Sequence, residues 1–190
     1  MTQSHPKKAV FLDRDGTLIE AVHYLHNPDL VVPRPGSAQA LRELSEDGWM
    51  LFLFTNQAGV GHGIFTPQDV HRVNARMFAL LGLPPGIITE TCIPTETGFQ
   101  PGGYRKPSPR FILEMSEKWR LDKTQTWMVG DSPVDWGAAF NAGVRAAAIS
   151  STAPAQGMAS FENAFGGGSV IAYPDLLAFA RGIMRAPRAE

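Results

Sequence analysis

Apolar runs in this chain are short and end abruptly. Ala9–Leu12, Trp49–Phe54, Thr126–Val129 and Val144–Ile149 each stop at a turn signal, the pattern of strands buried on both faces of a parallel sheet. Gly86–Ile93 is a further strand candidate and Val170–Tyr173 an edge strand. Between the strands, apolar residues recur at helical spacing. Ser37 caps a helix running to about Asp47, with Leu41 and Leu44 inward and Gly48 as its stop. Thr66-Pro67-Gln68-Asp69 combines a cap with proline at the first helical position. The helix it opens has an apolar face of Val70, Val73, Met77, Leu80 and Leu81, which reads as core, and ends at Gly82. Ser108-Pro109 starts a helix with Phe111, Ile112, Met115 and Trp119 inward, and a short helix runs to about Ala142. Pro174-Asp175 opens a last one carrying Leu176, Leu177, Phe179 and Ile183.

Strands alternating with helices predict an α/β, three-layer, Rossmann-like parallel sheet covered on both faces. Every strand of such a sheet delivers its carboxyl end to one rim, where ligands bind. Two long loops interrupt the pattern, Leu18–Gly36 with its prolines and Pro94–Pro107, rich in glycine and proline. Loops of that length beside a candidate site are more often functional than filler. Ser150–Gly168 is small-residue and glycine-rich, with one helical turn expected near Phe161.

Composition narrows the class. The 190 residues suit one domain spanning 1–190, with 44% hydrophobic and 18% charged residues. Seventeen basic residues nearly cancel 18 acidic ones, so neither duplex nucleic acid nor an anionic membrane is an expected partner. The single Cys92 excludes an internal disulfide. No apolar run approaches the ~18 residues of a membrane span. Lys7-Lys8 ahead of Ala9–Leu12 faintly resembles a signal peptide, but Asp13 cuts the apolar part short. The expectation is a cytoplasmic monomer or weak homo-oligomer.

The chemistry concentrates in Ala9-Val10-Phe11-Leu12-Asp13-Arg14-Asp15-Gly16-Thr17. In extended chain, side chains at i and i+2 point the same way, so Asp13 and Asp15 share one crevice. Two like charges there are unfavourable unless a cation compensates or one is protonated. Either remedy is useful: a hard oxygen site for Mg2+, or a nucleophile beside an acid/base. Thr55 and Asp131 also follow directly on strands, so three polar signals converge on one rim.

At these residues the sequence resembles the haloacid dehalogenase superfamily of phosphohydrolases. The carrying motifs are Asp13-Arg14-Asp15-Gly16-Thr17, Thr55 in Phe54-Thr55-Asn56-Gln57, Lys106 in Arg105-Lys106-Pro107, and Gly130-Asp131 through Asp135. They run in the family's order from about Val10 to Ile149. Within the superfamily the sequence is similar to the bacterial heptose-bisphosphate phosphatases and their histidinol-phosphatase relatives. Tyr24-Leu25-His26, Thr55-Asn56-Gln57-Ala58-Gly59 and Gly63-Ile64-Phe65-Thr66 carry that likeness. The tyrosine and histidine, with the Gly-x-Phe-Thr helix start, favour the heptose branch.

The resemblance implies a Mg2+-dependent phosphomonoesterase without a separate cap domain, acting on a small phosphorylated metabolite. Asp13 attacks phosphorus and Asp15 is the acid/base. The metal is held by the Asp13 and Asp131 carboxylates and the Asp15 main-chain carbonyl. Thr55 donates to the phosphoryl group and Lys106 offsets its charge. Asp135, beside Ser132, orients Lys106 or metal-bound water, or compensates the helix dipole. Tyr24, Asn56, Gln57 and Arg105 are substrate contacts, with His23 and His26 lining the leaving-group side. Many of the similar enzymes carry a zinc loop of Cys-x-His followed by Cys-x-Cys. Cys92, Pro94, Gly102 and Tyr104 stand at those positions, and one thiolate builds no closed zinc site, so no structural zinc is expected. A histidinol-phosphate or broad sugar-phosphate phosphatase is the in-family alternative. A phospho-accepting receiver or a non-catalytic binding domain is the alternative of another class, and Asp15 argues against a receiver, which must delay hydrolysis.

Overall fold

The computed structural model describes residues 6–149 and 169–185; the turn expected near Phe161 lies outside them. The strands are β1 (Lys7–Leu12), β2 (Met50–Phe54), β3 (Glu90–Cys92), β4 (Leu121–Gly130), β5 (Arg145–Ile149) and β6 (Val170–Tyr173). They form one parallel sheet in the order β3-β2-β1-β4-β5-β6. The helices are α1 (Ser37–Glu46), the single turn α2 (Ala58–Gly61), α3 (Pro67–Leu81), α4 (Arg110–Trp119), α5 (Pro133–Ala142) and α6 (Leu176–Arg185).

Alternation along the strands sends side chains into two cores. Val10 and Leu12 of β1 join α1, α3 and α6 on one face, through Leu41, Leu44, Val73, Met77, Phe179 and Ile183. Ala9 and Phe11 join α4 and α5 on the other, through Phe111, Ile112, Trp136 and Ala139. Phe11 stacks on Phe52 at 4.6 Å and meets the Phe111 edge at 5.5 Å, so the central strands are locked to α4 by aromatic contacts. The sheet is thus the three-layer arrangement that the alternation of elements predicts.

Three local expectations change. The helix at Ser37 is capped by Gly36 in the left-handed region (φ 80°), while Ser37 is buried and its Oγ donates to the Thr17 carbonyl. The strand expected from Gly86 shrinks to Glu90–Cys92, because Gly86 has φ +84° and Ile87 N–H closes a turn onto Pro84. Leu80 of α3 is 39% exposed; Asn74 takes an inward position on that helix instead. The start of α3 is as read: Thr66 and Asp69 bond reciprocally in a capping box. Among the described residues no helix is long and apolar enough to cross a membrane.

Candidate active site

The chain runs outward from β1 to β2 and β3, then returns to β4 on the other side of β1. The crevice of the sheet therefore lies between β1 and β4, where strand order reverses. Register sets the depth of each residue there. Leu12 pairs with Leu53 and with Val129, so Asp13 lies level with Phe54 and Gly130. Thr55 and Asp131 follow one step further out. Asp13 N–H donates to Val129 O, which extends the ladder to the site itself. Gly16 brings the turn back against Asp131: its φ is +77°, and a Cβ there would fall 1.9 Å from Asp131 Oδ2. No other residue type fits so close an approach.

Lys106 enters from the loop before α4 and is 2% exposed. Its ammonium reaches Asp13 Oδ1 at 2.6 Å, Asp135 Oδ1 at 2.6 Å and donates to Phe54 O at 2.7 Å. Two hydrogen bonds, to Asp13 and Phe54 O, and the ion pair with Asp135 thus satisfy the buried ammonium. Asn56 holds the lysine backbone in place, accepting from Lys106 N–H at 3.1 Å and donating to its carbonyl at 3.3 Å. Asn56 is expected from the sequence to touch substrate; here its amide clasps Lys106. Asp135 is fully buried, and its second oxygen accepts from both Ser132 N–H and Ser132 Oγ at the start of α5. It serves the helix terminus and the lysine at once.

The carboxylates outnumber their compensation. Oxygens of Asp13, Asp131 and Asp135 lie within 4.8 Å of one another, against a single ammonium. Burial pushes the Asp13 carboxyl up to about 8, against the pull of Lys106, with Asp135 and Asp15 adding repulsion. Desolvation, then Asp135, raises Asp131 to about 6. A cluster of hard oxygens short of positive charge fits Mg2+. Asp135 Oδ2 is held by Ser132, and its buried Oδ1 faces the Lys106 ammonium as an ion pair without a hydrogen bond, so Asp13 and Asp131 at the strand tips suit a metal better than Asp135 does.

This has a consequence for stability. A carboxyl raised in the folded state holds its proton longer than in the unfolded chain, so stability is lost as pH rises through the folded value. Without divalent cation, thermal stability is expected to fall from the ordinary carboxyl value of 3.8, where the unfolded chain sheds these protons, up to about 6 for Asp131 and about 8 for Asp13, and to level off above that. Mg2+ is expected to restore it, giving a melting shift that grows with pH, at about 2–4 °C per kcal/mol for a chain of this size. Thermal melts with Mg2+ and with chelator measure this; a shift that shrinks as pH rises contradicts the assignment.

Asp15 is held from two sides. Arg14 Nε and Nη2 contact both of its oxygens at 2.9–3.2 Å, and Gln57 Nε2 donates to Oδ2 at 3.1 Å. The same Gln57 nitrogen donates to Thr55 Oγ1 at 2.9 Å, leaving the threonine's own hydrogen available. Gln57, expected as a substrate contact, is 5% exposed and ties Thr55 to Asp15. Arg14 is 0% exposed and its Nη1 donates to Asn74 on α3 at 2.9 Å. Neither Arg14 as a side chain nor Asn74 stands out by motif. The available signal was Asn74 itself, a polar residue on the apolar stripe of Val70, Val73 and Met77.

Tyr24 has φ +49°, a sparsely populated conformation for a bulky residue, and packs with His23, His62 and Phe65 at ring distances of 4.2, 6.4 and 6.3 Å. His26 stacks on Phe65 and engages Tyr24 O through Nδ1. Arg105 Nη1 donates to Glu96 O, and among the described residues the rest of its fork has no further side-chain hydrogen bond. At the four positions compared with a zinc loop, burial pushes the Cys92 thiol up to about 12. There Tyr104 donates its hydroxyl to Glu114 and its N–H to Glu96 Oε1, and the Gly102 carbonyl accepts from Arg110.

Comparison with known proteins agrees with this geometry. Residues 20–143 match the family profile of haloacid dehalogenase-like hydrolases. The D-glycero-beta-D-manno-heptose-1,7-bisphosphate 7-phosphatase of Rhodopseudomonas palustris is 34% identical over 152 residues, covering 76% of this chain and 84% of that protein. The enzyme of the same name from Haemophilus ducreyi is 34% identical over 146 residues, 73% of this chain and 80% of that one. Among solved structures, D,D-heptose 1,7-bisphosphate phosphatase from B. bronchiseptica, complexed with magnesium and phosphate, superposes with a TM-score of 0.81 at 26% identity, covering 95% of this chain and 99% of that chain. The corresponding Burkholderia thailandensis structure gives 0.67 at 26% identity over 94% and 99%.

Proposed function

The chain belongs to the haloacid dehalogenase-like hydrolases, and from that premise we propose that it is a Mg2+-dependent phosphomonoesterase removing the 7-phosphate from a D-glycero-D-manno-heptose 1,7-bisphosphate. The observation that carries the reading is Asp13 at the tip of β1, paired with buried Lys106 and within reach of Asp131.

A phosphate monoester repels nucleophiles by its own charge, so a site must neutralise it and hold an in-line geometry. An Asp13 oxygen attacks phosphorus, and the P–O bond to the sugar breaks as Asp15 passes a proton to the leaving oxygen. Asp15 then takes a proton from the water that hydrolyses the aspartyl-phosphate, releasing inorganic phosphate. Thr55 donates its free hydroxyl hydrogen to a phosphoryl oxygen. Lys106 faces the charge that builds at phosphorus, with Asp135 and Asn56 keeping it in register. The Asp13 and Asp131 carboxylates, with the Asp15 main-chain carbonyl, would hold Mg2+. When bound it supplies positive charge against the phosphoryl oxygens.

We read residues 1–190 as one domain without a cap, so discrimination falls to the loops 18–36 and 94–105. Tyr24 and its histidine neighbours, and the free edge of Arg105, offer ring faces and donors to a sugar and a second phosphate. The 92–104 loop, with its single thiol, is read as free of zinc, and the substrate class and lone cysteine fit a reducing cytoplasm. Steady-state comparison with Mg2+ of heptose bisphosphate, histidinol phosphate and a panel of sugar phosphates tests the assignment. The expected kcat/KM advantage for the bisphosphate is about 10²-fold or more, in a preparation without stoichiometric zinc. Equal, poor turnover of heptose bisphosphate and histidinol phosphate leaves neither assignment standing.

A further inference from the structure

We propose that Arg14, anchored by Asn74, is a positioning residue for the reaction, acting only through Asp15 by fixing where its carboxyl group stands. The inference rests on the reading of Asp15 as the acid/base. A fully buried guanidinium is tolerated only with paired charge and satisfied donors. Arg14 meets that condition with two groups: the Asp15 carboxylate, through Nε and Nη2, and the Asn74 amide oxygen, through Nη1.

Both ends of this link are fixed. The Arg14 carbonyl accepts from the N–H groups of Thr17, Leu18 and Ile19, so the backbone carrying the guanidinium is wound into a tight turn. Asn74 is 7% exposed and sits on the core face of α3 among Val70, Val73 and Met77. Opposite the arginine, Gln57 donates to Asp15 and Thr55 from one nitrogen. The Asp15 carboxyl is therefore clamped between a guanidinium fork tied to α3 and an amide tied to the tip of β2. A planar fork defines the plane of the carboxylate it pairs with, which a lysine point charge does not.

A residue that merely balanced charge in the fold would affect all substrates alike. One that aims the acid matters only when the leaving group needs a proton. An alkoxide leaving from a sugar phosphate needs it, whereas p-nitrophenolate departs without one. The informative quantity is therefore kcat/KM on an alkyl phosphate divided by kcat/KM on p-nitrophenyl phosphate, since this parameter ends at the first irreversible step, departure of the leaving group. Asp15→Asn provides the reference, with an alkyl-selective loss of about 10²–10⁴-fold. Arg14→Met is expected to lose about 10²-fold more on the alkyl ester than on the aryl one. Asn74→Ala, which keeps the ion pair and removes only its anchor, should lose in the same direction by about 10-fold, and Arg14→Lys should fall between the two.

Asn74→Ala and Arg14→Lys keep the test decisive should Arg14→Met fail to fold, with melting curves reporting integrity. Equal losses on both esters in these variants, beside a selective loss in Asp15→Asn, overturn the positioning role and leave Arg14 a structural counter-ion. Absence of selectivity in Asp15→Asn overturns the reading of Asp15 itself, and the positioning role with it.

Discussion

Asp13→Asn is expected to lower turnover by about 10⁴-fold or more, with the folded state retained. The chemical part follows from the carboxylate: an amide oxygen is too weak a nucleophile to form the aspartyl ester. The structural part follows from the contacts. An asparagine still offers Oδ1 to Lys106 Nζ, and the ammonium keeps Asp135 Oδ1 and the Phe54 carbonyl. The substitution also removes a carboxyl that burial holds neutral up to about 8. Metal-free Asp13→Asn should accordingly lose less stability than wild type as pH rises, and its response to Mg2+ should shrink, because one of the two open carboxylates is gone. Rates and melts with and without Mg2+ read both effects. Retained turnover would move the nucleophile elsewhere.

What was legible in the sequence was whatever depends on neighbours along the chain. Strand tips are visible because a buried run must end somewhere, and Asp13, Thr55 and Asp131 stand one residue beyond such ends. The start of α3 is visible because Thr66, Pro67 and Asp69 act within one turn. The capping place that the sequence assigns to Ser37 belongs to Gly36, in a backbone conformation the one-letter code only permits, and the Ser37 hydroxyl turns to Thr17 O. The supporting contacts were hidden for a different reason. Asn56 meets Lys106 across 50 residues and Arg14 meets Asn74 across 60, pairings that exist only once the sheet has formed. Sequence spacing therefore points to groups at the rim but not to the groups that aim them. The sequence reads Asn56 and Gln57 as substrate contacts; that they also hold Lys106, Asp15 and Thr55 is a tertiary fact that spacing does not show.

Lys106→Met should be the most damaging single change to the molecule, for activity and stability together. The lysine is the positive charge that reaches both Asp13 and Asp135, at 2.6 Å each, in a place where its side chain is 2% exposed. Removing one partner of a buried ionic group leaves the others uncompensated, at a typical loss of about 3–5 kcal/mol. For a chain of this length that is about 6–20 °C in melting temperature. The sign of the pH effect is set by Asp13: a carboxyl already raised to about 8 beside the ammonium is raised further without it. The variant should thus suffer least at low pH, where the proton stays on, and most as pH rises. Adding Asp13→Asn to Lys106→Met should recover part of the stability and none of the activity, since the repulsion is relieved while the reacting groups remain absent. That double variant separates the two duties of the lysine. Turnover surviving in Lys106→Met, under conditions where melts show it folded, would remove the ammonium from the reaction and leave it only as the counter-ion that lets three acids share one crevice.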